Sequence, residues 1–270
     1  MSLDVLIPTY RRPGALAVTL AGLAAQTYPH FRVVISDQTE DADTTADPLV
    51  ATPLRVLRAR GHEVETWRHL PRRGLAEQRQ FLLDRARARY AVFLDDDVLC
   101  EPEVLARLVE TIDKEQCGFI GMPLVGLSHL DDVRPHEQHL EPWSGPVRPE
   151  VITPGGPGWE RHRLHNAANA WHVQQQLGLG PDDRLVYKVA WVGGCVIYDV
   201  AKLRSVGGFT FWRQLPPAHA GEDVLAQLRV MARYGGAGVL PTGAFHQQLP
   251  TTVDDRSVDA PWALTISAPS

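Results

Sequence analysis

Cysteine is scarce: Cys100, Cys117 and Cys195 are the only three in 270 residues. An odd number at wide spacing excludes a disulfide framework, a CxxC pair and a zinc ribbon. Reduced, mostly buried thiols are expected, which suits a cytoplasmic protein. Lysine is just as sparse. Lys114, Lys188 and Lys202 are the whole complement, so basic charge rests on arginine, a bias that fits a GC-rich bacterial genome. No positive excess exists either: the formal charge is -5 and the pI about 6.1. That excludes a global field drawing the chain to nucleic acid or anionic lipid and leaves anion binding to local patches. No apolar run reaches the roughly 20 residues of a membrane-spanning helix, VAWVGGCVIY (Val189 to Tyr198) being far too short. The start, MSLDVLIPTYRRP, has no cationic segment followed by an apolar leader and resembles a strand entering a turn. No internal repeat occurs.

What is present is ordinary for a folded protein, 44% hydrophobic and 22% charged. LDVLIPTY (Leu3 to Tyr10) is a short apolar run closed by Pro8, and Pro13 to Gln26 follows with helical spacing at Leu16, Leu20 and Leu23. FRVVISD (Phe31 to Asp37) is a second apolar strand ending on a carboxylate, followed by the polar turn material QTEDADTTAD. VETWRH (Val64 to His69) is a third. The segment Leu75 to Tyr90 has the pattern of a helix feeding the strand YAVFLDDD. Apolar runs without alternation are buried on both faces, so this order predicts a parallel sheet covered by helices. Ligands bind beyond the carboxyl ends of such strands. Thr9, Tyr10 and Arg11, then Asp37, then Asp95 to Asp97 are expected to converge on that edge.

Past Gly126 the pattern dissolves. Residues Leu127 to Gly158 are rich in His, Pro and Gly and carry only a short apolar run around Val151. Leu164 to Gly178 is expected to be helical. GEDVLAQLRVMARYG predicts a helix stopped by Gly235 and Gly236, GVLPTGAFHQ a strand, and Thr251 to Ser270 a loose tail.

Three adjacent aspartates repel one another, so something must offset the cost of keeping them ionised. If extended geometry persists past Leu94, Asp95 and Asp97 share a face and Asp96 takes the other. Two carboxylates on one face suit a hard divalent cation whose other ligands are water and phosphate. A solvated acidic turn explains the tripeptide equally well. A phosphatase-type nucleophile is the weaker reading, because it belongs on the first strand.

The pieces PTYRR (Pro8 to Arg12), VVISDQT (Val33 to Thr39), RGLAEQRQ (Arg73 to Gln80), VFLDDDV (Val92 to Val98), WVGGCVIYD (Trp191 to Asp199), VGGF (Val206 to Phe209) and GEDVLAQLR (Gly221 to Arg229) occur in this order. Together they resemble the family 2 glycosyltransferases of the GT-A fold, over Leu3 to Pro123 and Ala190 to Gln247. The resemblance implies an α/β fold, a Rossmann-like mostly parallel sheet flanked by helices. It implies one domain over 1–250, with a nucleotide and metal half (3–123), a variable acceptor-side region (124–189) and a catalytic half (190–250), followed by the tail 251–270.

By the same resemblance, Pro8, Thr9, Tyr10 and Arg11 line the nucleotide site and Asp37 accepts from the base, with Ser36 where many relatives carry another Asp. Gly74 lets backbone approach the donor, and Arg79 reaches base or pyrophosphate. Asp97 contacts Mn²⁺ or Mg²⁺ directly. Asp95 serves the ribose or the metal, Asp96 is the variable position, and His246 is a third metal ligand. Gly193 and Gly194 lie under the donor sugar, with Trp191 beside it. Asp223 is the general base and Glu222 orients the acceptor. The implied activity is metal-dependent, inverting transfer from a nucleoside-diphosphate sugar, uridine by default, to a carbohydrate or other hydroxyl. No nucleic-acid partner or transmembrane segment is implied, and peripheral membrane contact stays open. Two rivals are a nucleotidyltransferase, disfavoured by the Gly-poor PTYRRPG, and a silent nucleotide-sugar binding module. His129, His136, His139, His162, His165 and His172 match no HExxH spacing and suit an acceptor loop better than zinc.

Overall fold

The computed structural model describes residues 2–253 and 255–266. Chain order is β1 (Leu3–Thr9), α1 (Pro13–Ala24), β2 (Phe31–Asp37), α2 (Pro48–Ala59), β3 (Glu63–Arg68), α3 (Leu75–Arg85), β4 (Tyr90–Leu94), β5 (Val98–Cys100), α4 (Val104–Glu115), β6 (Phe119–Gly121) and β7 (Leu124–Val125). Then come α5 (Asn169–Gln176), β8 (Leu185–Tyr187), β9 (Cys195–Asp199), α6 (Val200–Ser205), α7 (Glu222–Tyr234), β10 (Gly236–Leu240), β11 (Ala244–His246) and α8 (Ala260–Ala263).

Every residue of β1, β2 and β4 is buried, which is why their sequences do not alternate. Leu3, Val5 and Ile7 pack with Leu16 and Leu20 of α1 and Leu54 of α2. Leu6 and Val34 turn the other way, toward Ala76 and Leu82 of α3 and Leu225 of α7. The main sheet runs β3-β2-β1-β4-β9-β6-β10-β8, and β5-β11-β7 form a small second sheet. β9 and β8 are antiparallel to their neighbours, so the sheet is mostly parallel. Thr9 pairs with Asp37 at the carboxyl ends of β1 and β2, and Asp95 N–H donates to the Gly194 carbonyl (2.9 Å) where β4 gives out. The three strand ends named from the sequence therefore share one edge.

Several expected elements change length. α3 stops at Arg85 rather than running to Tyr90, because Ala86 is extended (ψ 129°) and the next amides leave the helix. Arg87 N–H (2.6 Å) and Ala88 N–H (2.9 Å) donate instead to the buried Asp4 carboxylate. GVLPTGAFHQ divides into β10 and β11 at Pro241 to Gly243, where Thr242 donates to the Pro123 carbonyl (2.6 Å). The helix expected from Leu164 begins at Asn169, preceded by a 3-10 turn over Trp159–His165. Residues 124–189 supply β7 and β8 to the two sheets.

The tail is not loose throughout. Ala220 N–H donates to Val258 C=O and Ala260 N–H to Ala220 C=O, both at 2.9 Å, which fixes α8 beside the start of α7. Asp254 and 267–270, part of the same expectation, lie outside the described residues. All three cysteines are free and buried. Among the described residues no helix is long and apolar enough to cross a membrane.

Candidate active site

A cavity of about 560 Å³ opens where the carboxyl edges of β1, β2 and β4 face the N-terminus of α7. Pro8, Thr9 and Tyr10 line it, as do Gly74, Arg79, Asp95 to Asp97, Glu222, Asp223 and His246. The tertiary fold thus gathers most of the expected residues. Their partners differ from expectation in several places.

Strand alternation does not govern the aspartates, because β4 ends at Leu94 and Asp96–Asp97 form a turn. Thr19 of α1 clamps that turn, donating to the Asp96 carbonyl (2.9 Å) and accepting from Val98 N–H (3.1 Å). Thr9 donates to Asp96 Oδ2 (2.6 Å). One Arg12 nitrogen donates to Asp97 Oδ2 (2.7 Å) and Asp96 Oδ1 (3.4 Å). Asp95 pairs with Arg79 at 2.8 Å. Two guanidinium groups therefore divide the three charges between them, which answers the repulsion in the protein as it stands. Burial above all, with the neighbouring Asp97, still pushes Asp96 up to about 6. Burial acts the same way on Asp97, but bonds from His246 and Arg12 outweigh it and hold that carboxyl below its ordinary range.

Arg79 lines the cavity and is engaged within the protein. Only 4% exposed, it bridges Asp95 to Glu222 (3.0 Å) and so ties the aspartate turn to α7. Burial disfavours its charge, yet Asp95, Glu222 and Asp223 more than restore it. Glu222 is equally buried and accepts from Arg79 Nε through Oε1. Asp223 is half-buried at the cavity wall. Its Oδ1 accepts from Val224 N–H (2.9 Å), and Oδ2 has no partner among the described residues. Burial first, then the charge of Glu222, raises its carboxyl to about 7. Gly193 backs onto this group: a Cβ there would stand 3.9 Å from Asp223 Oδ2. At Gly194 a Cβ would lie 3.3 Å from Asp95 Oδ2. The two glycines thus support the carboxylates and do not line the cavity itself.

Arg11 and Asp37 are displaced from their expected roles. Arg11 is exposed and pairs with Glu40 (3.5 Å) and Asp41 (3.3 Å), away from the cavity. Asp37 is fully buried and caps the following turn, accepting from Thr39 N–H (2.9 Å) and Thr44 N–H (2.8 Å); Gln38 lines the cavity at that edge. His246 Nε2 lies 3.4 Å from Asp97 Oδ2, while its Nδ1 accepts from Gln248 N–H (2.8 Å). A neutral ring whose Nδ1 accepts carries its proton on Nε2. His246 is therefore placed to donate to Asp97 and steady it, not to ligate a cation through Nε2.

Residues that sequence reasoning passed over complete the site. Arg12, just ahead of Pro13 at the start of α1, had only its place in PTYRR to mark it. Gln78 is buried in α3 and donates to Ser36 C=O (2.6 Å) and Thr9 C=O (3.2 Å), fastening both strand ends. Arg72 sits 3.9 Å over the Tyr10 ring and donates to Thr252 C=O (3.3 Å). Arg12 also donates to Pro250 C=O, so a segment of the tail crosses the cavity mouth.

Gly74 begins α3 at φ 98°, and a Cβ there would stand 2.3 Å from the Pro217 carbonyl oxygen. Gly74→Ala is expected to lower stability by roughly 1–3 kcal/mol from backbone strain alone. Urea unfolding measures this; an unchanged midpoint would show that α3 can begin without the positive φ at position 74.

Comparisons with known proteins bear on the family and the fold. The family described as Glycosyl transferase family 2 matches residues 4–169. Over 119 residues the chain is 34% identical to the succinoglycan biosynthesis protein ExoM of Rhizobium meliloti (strain 1021), covering 41% of this chain and 35% of that protein. Over 122 residues it is 25% identical to an uncharacterized glycosyltransferase of Haemophilus influenzae, covering 45% and 38%. These matched segments span little more than a third of either relative. Among solved structures, S. aureus TarS superposes with a TM-score of 0.57 at 17% identity, covering 91% of this chain and 36% of that one. The mannosyltransferase PcManGT from Pyrobaculum calidifontis, in complex with GDP-Man and Mn²⁺, gives 0.57 at 15%, covering 93% and 58%. TarS 1-349 in complex with UDP-GlcNAc gives 0.53 at 16%, covering 94% and 60%.

Proposed function

Because the chain belongs to glycosyl transferase family 2, we propose that it moves a sugar, with inversion, from a nucleoside-diphosphate sugar to an acceptor hydroxyl in a divalent-cation-dependent reaction. The observation that carries this is the meeting of the Asp95 to Asp97 turn and the Asp223 carboxylate on one cavity, linked through Arg79.

The site offers a hard cation two free carboxylate oxygens, with no group of three His, Cys, Asp or Glu arranged to hold a metal among the described residues. Asp95 Oδ2 and Asp97 Oδ1 have no hydrogen-bond partner among the described residues, since Arg79, Arg12 and His246 all address the opposite oxygens. One or two carboxylates, completed by water and phosphate, are what Mg²⁺ requires. Asp97, with Asp95 beside it, would hold the ion, and His246 and Arg12 would fix the Asp97 rotamer. When bound, the ion supplies neutralising charge at a departing diphosphate. Asp223 Oδ2 accepts the proton of the incoming hydroxyl, and attack from that side inverts the anomeric centre. Thr9, Tyr10 and Gln38 sit at the β1–β2 edge, where base and ribose would lie. UDP is the first nucleotide to try, because TarS 1-349 is known with UDP and UDP-GlcNAc; GDP follows from PcManGT. Free buried thiols fit a reducing, cytoplasmic setting.

Calorimetric titration of UDP, GDP, dTDP and CDP with Mn²⁺ tests this reading. One nucleotide should bind, and EDTA should remove most of its affinity. Asp97→Ala should weaken Mn²⁺-dependent binding by roughly 10–100-fold. Equal affinity in wild type and variant would defeat the metal assignment.

A further inference from the structure

We propose that a second cavity, adjoining the first, seats the acceptor and that this acceptor is a neutral saccharide, an assignment that rests on the function proposed above. The cavity has a volume of about 410 Å³, within the range of small-molecule sites, and shares the His246 and Leu249 walls with the first. Leu124 forms another wall and stands against the aspartate turn: a Cβ on Gly194 would strike Leu124 Cδ1 and lie 3.3 Å from Asp95 Oδ2. On the shared wall, His246 Nε2 is 3.4 Å from Asp97 Oδ2. A ligand seated here therefore adjoins the carboxylates proposed to hold the cation.

Its lining selects the chemistry. Unlike the first cavity, it carries no aspartate, glutamate, lysine or arginine among the described residues. An anionic ligand would find no guanidinium or ammonium there, and an amine no carboxylate. Hydrogen-bonding groups are nonetheless free. Gln248 Oε1 accepts from Ser128 N–H (3.3 Å), while its Nε2 has no partner among the described residues, and the side chain is only part-buried. The exposed His129 ring likewise makes no hydrogen bond among them. Gly126 lets these two side chains converge on the cavity, since a Cβ there would stand 2.6 Å from Gln248 Nε2 and 3.0 Å from His129 Cδ2. Backbone strain gathers at the same place. Of four non-glycine residues at positive φ among the described residues, Ala167 (φ 49°) and Gln248 (φ 59°) both line this cavity, and such strain collects where ligands are clamped. A purely apolar ligand would leave the Gln248 amide unanswered. A sugar ring offers hydroxyls to Gln248 and His129 and C–H faces to Leu124 and Leu249.

Saturation-transfer NMR tests this with methyl glycosides of the common hexoses and N-acetylhexosamines, in the presence of Mg²⁺ and the nucleoside diphosphate selected by calorimetry. At least one glycoside should bind wild type. Ala167→Leu, which adds bulk at the cavity wall, should raise its Kd roughly tenfold or more, and Gln248→Ala roughly tenfold. Both variants should bind the nucleoside diphosphate as wild type does, which shows that they fold; should Ala167→Leu lose it, Gln248→Ala decides. Wild type that binds none of the glycosides, or variants that bind them as tightly as wild type, overturn the acceptor assignment and leave the transferase reading standing. Wild type that binds no nucleoside diphosphate overturns the transferase reading, and the acceptor role with it.

Discussion

Asp223→Asn should lower kcat by roughly 10²–10⁴-fold, the usual contribution of a positioned general base, while leaving nucleoside-diphosphate affinity nearly unchanged. The variant keeps the shape of the side chain and the bond from Val224 N–H, and removes only the capacity of Oδ2 to take a proton. With the wild-type carboxyl raised to about 7, burial being the first cause, the base is mostly protonated at pH 6. The wild-type kcat/KM should then climb tenfold per pH unit below about 7 and level above it. The stability linkage has its own sign. A carboxyl raised on folding holds its proton more tightly in the folded state, so its contribution is greatest below the unfolded value and declines as pH rises toward about 7. Asp223→Asn, which cannot ionise, should thus be at least as stable as wild type at pH 8. A stable variant with unaltered kcat would remove Asp223 from the chemistry.

Arg79→Leu should cost about 3–5 kcal/mol of folding stability, the price of leaving buried charges without their partner. Two carboxylates depend on it: Asp95 at 2.8 Å and Glu222 at 3.0 Å, the latter only 4% exposed. Arg79→Lys should recover part of this, since one ammonium cannot fork to both oxygens in the same geometry. In the double variant Arg79→Leu, Glu222→Leu the loss should be smaller than the sum of the single losses, because neither member of the pair is then orphaned. Arg79 also holds the Asp223 carboxyl down, so the kcat/KM profile of Arg79→Lys should move to higher pH wherever the ammonium sits farther from Asp223. Urea unfolding and a pH profile measure both effects. Unchanged stability in Arg79→Leu would mean that the bridge is not formed in solution.

The second variant turns on a contact whose partners are far apart in the chain, and this marks what was legible beforehand. Val5 to Ile7, Val33 to Ile35 and Ala91 to Phe93 announced a sheet buried on both faces, since strands without alternation have no side left for water. Their polar endings, Thr9 and Asp95 to Asp97, located the edge where the cavity opens, and GEDVLAQLR marked the helix carrying Asp223. Even so, Asp37 and Arg11 occupy expected motif positions and point elsewhere. Their local neighbours, Thr39 and Thr44 for one and Glu40 and Asp41 for the other, satisfy them first.

The sequence by itself thus announced β1 to β4, α1, α3, α7 and the edge at which those strands end, because unbroken apolar runs and helical spacing of leucines are local features. Only the tertiary structure decided which charge answers which. Arg79 meets Glu222 across 143 positions and Arg12 meets Asp97 across 85. The pairing of a buried charge is set by the few ångströms around it after collapse, and no local pattern in the chain encodes that distance.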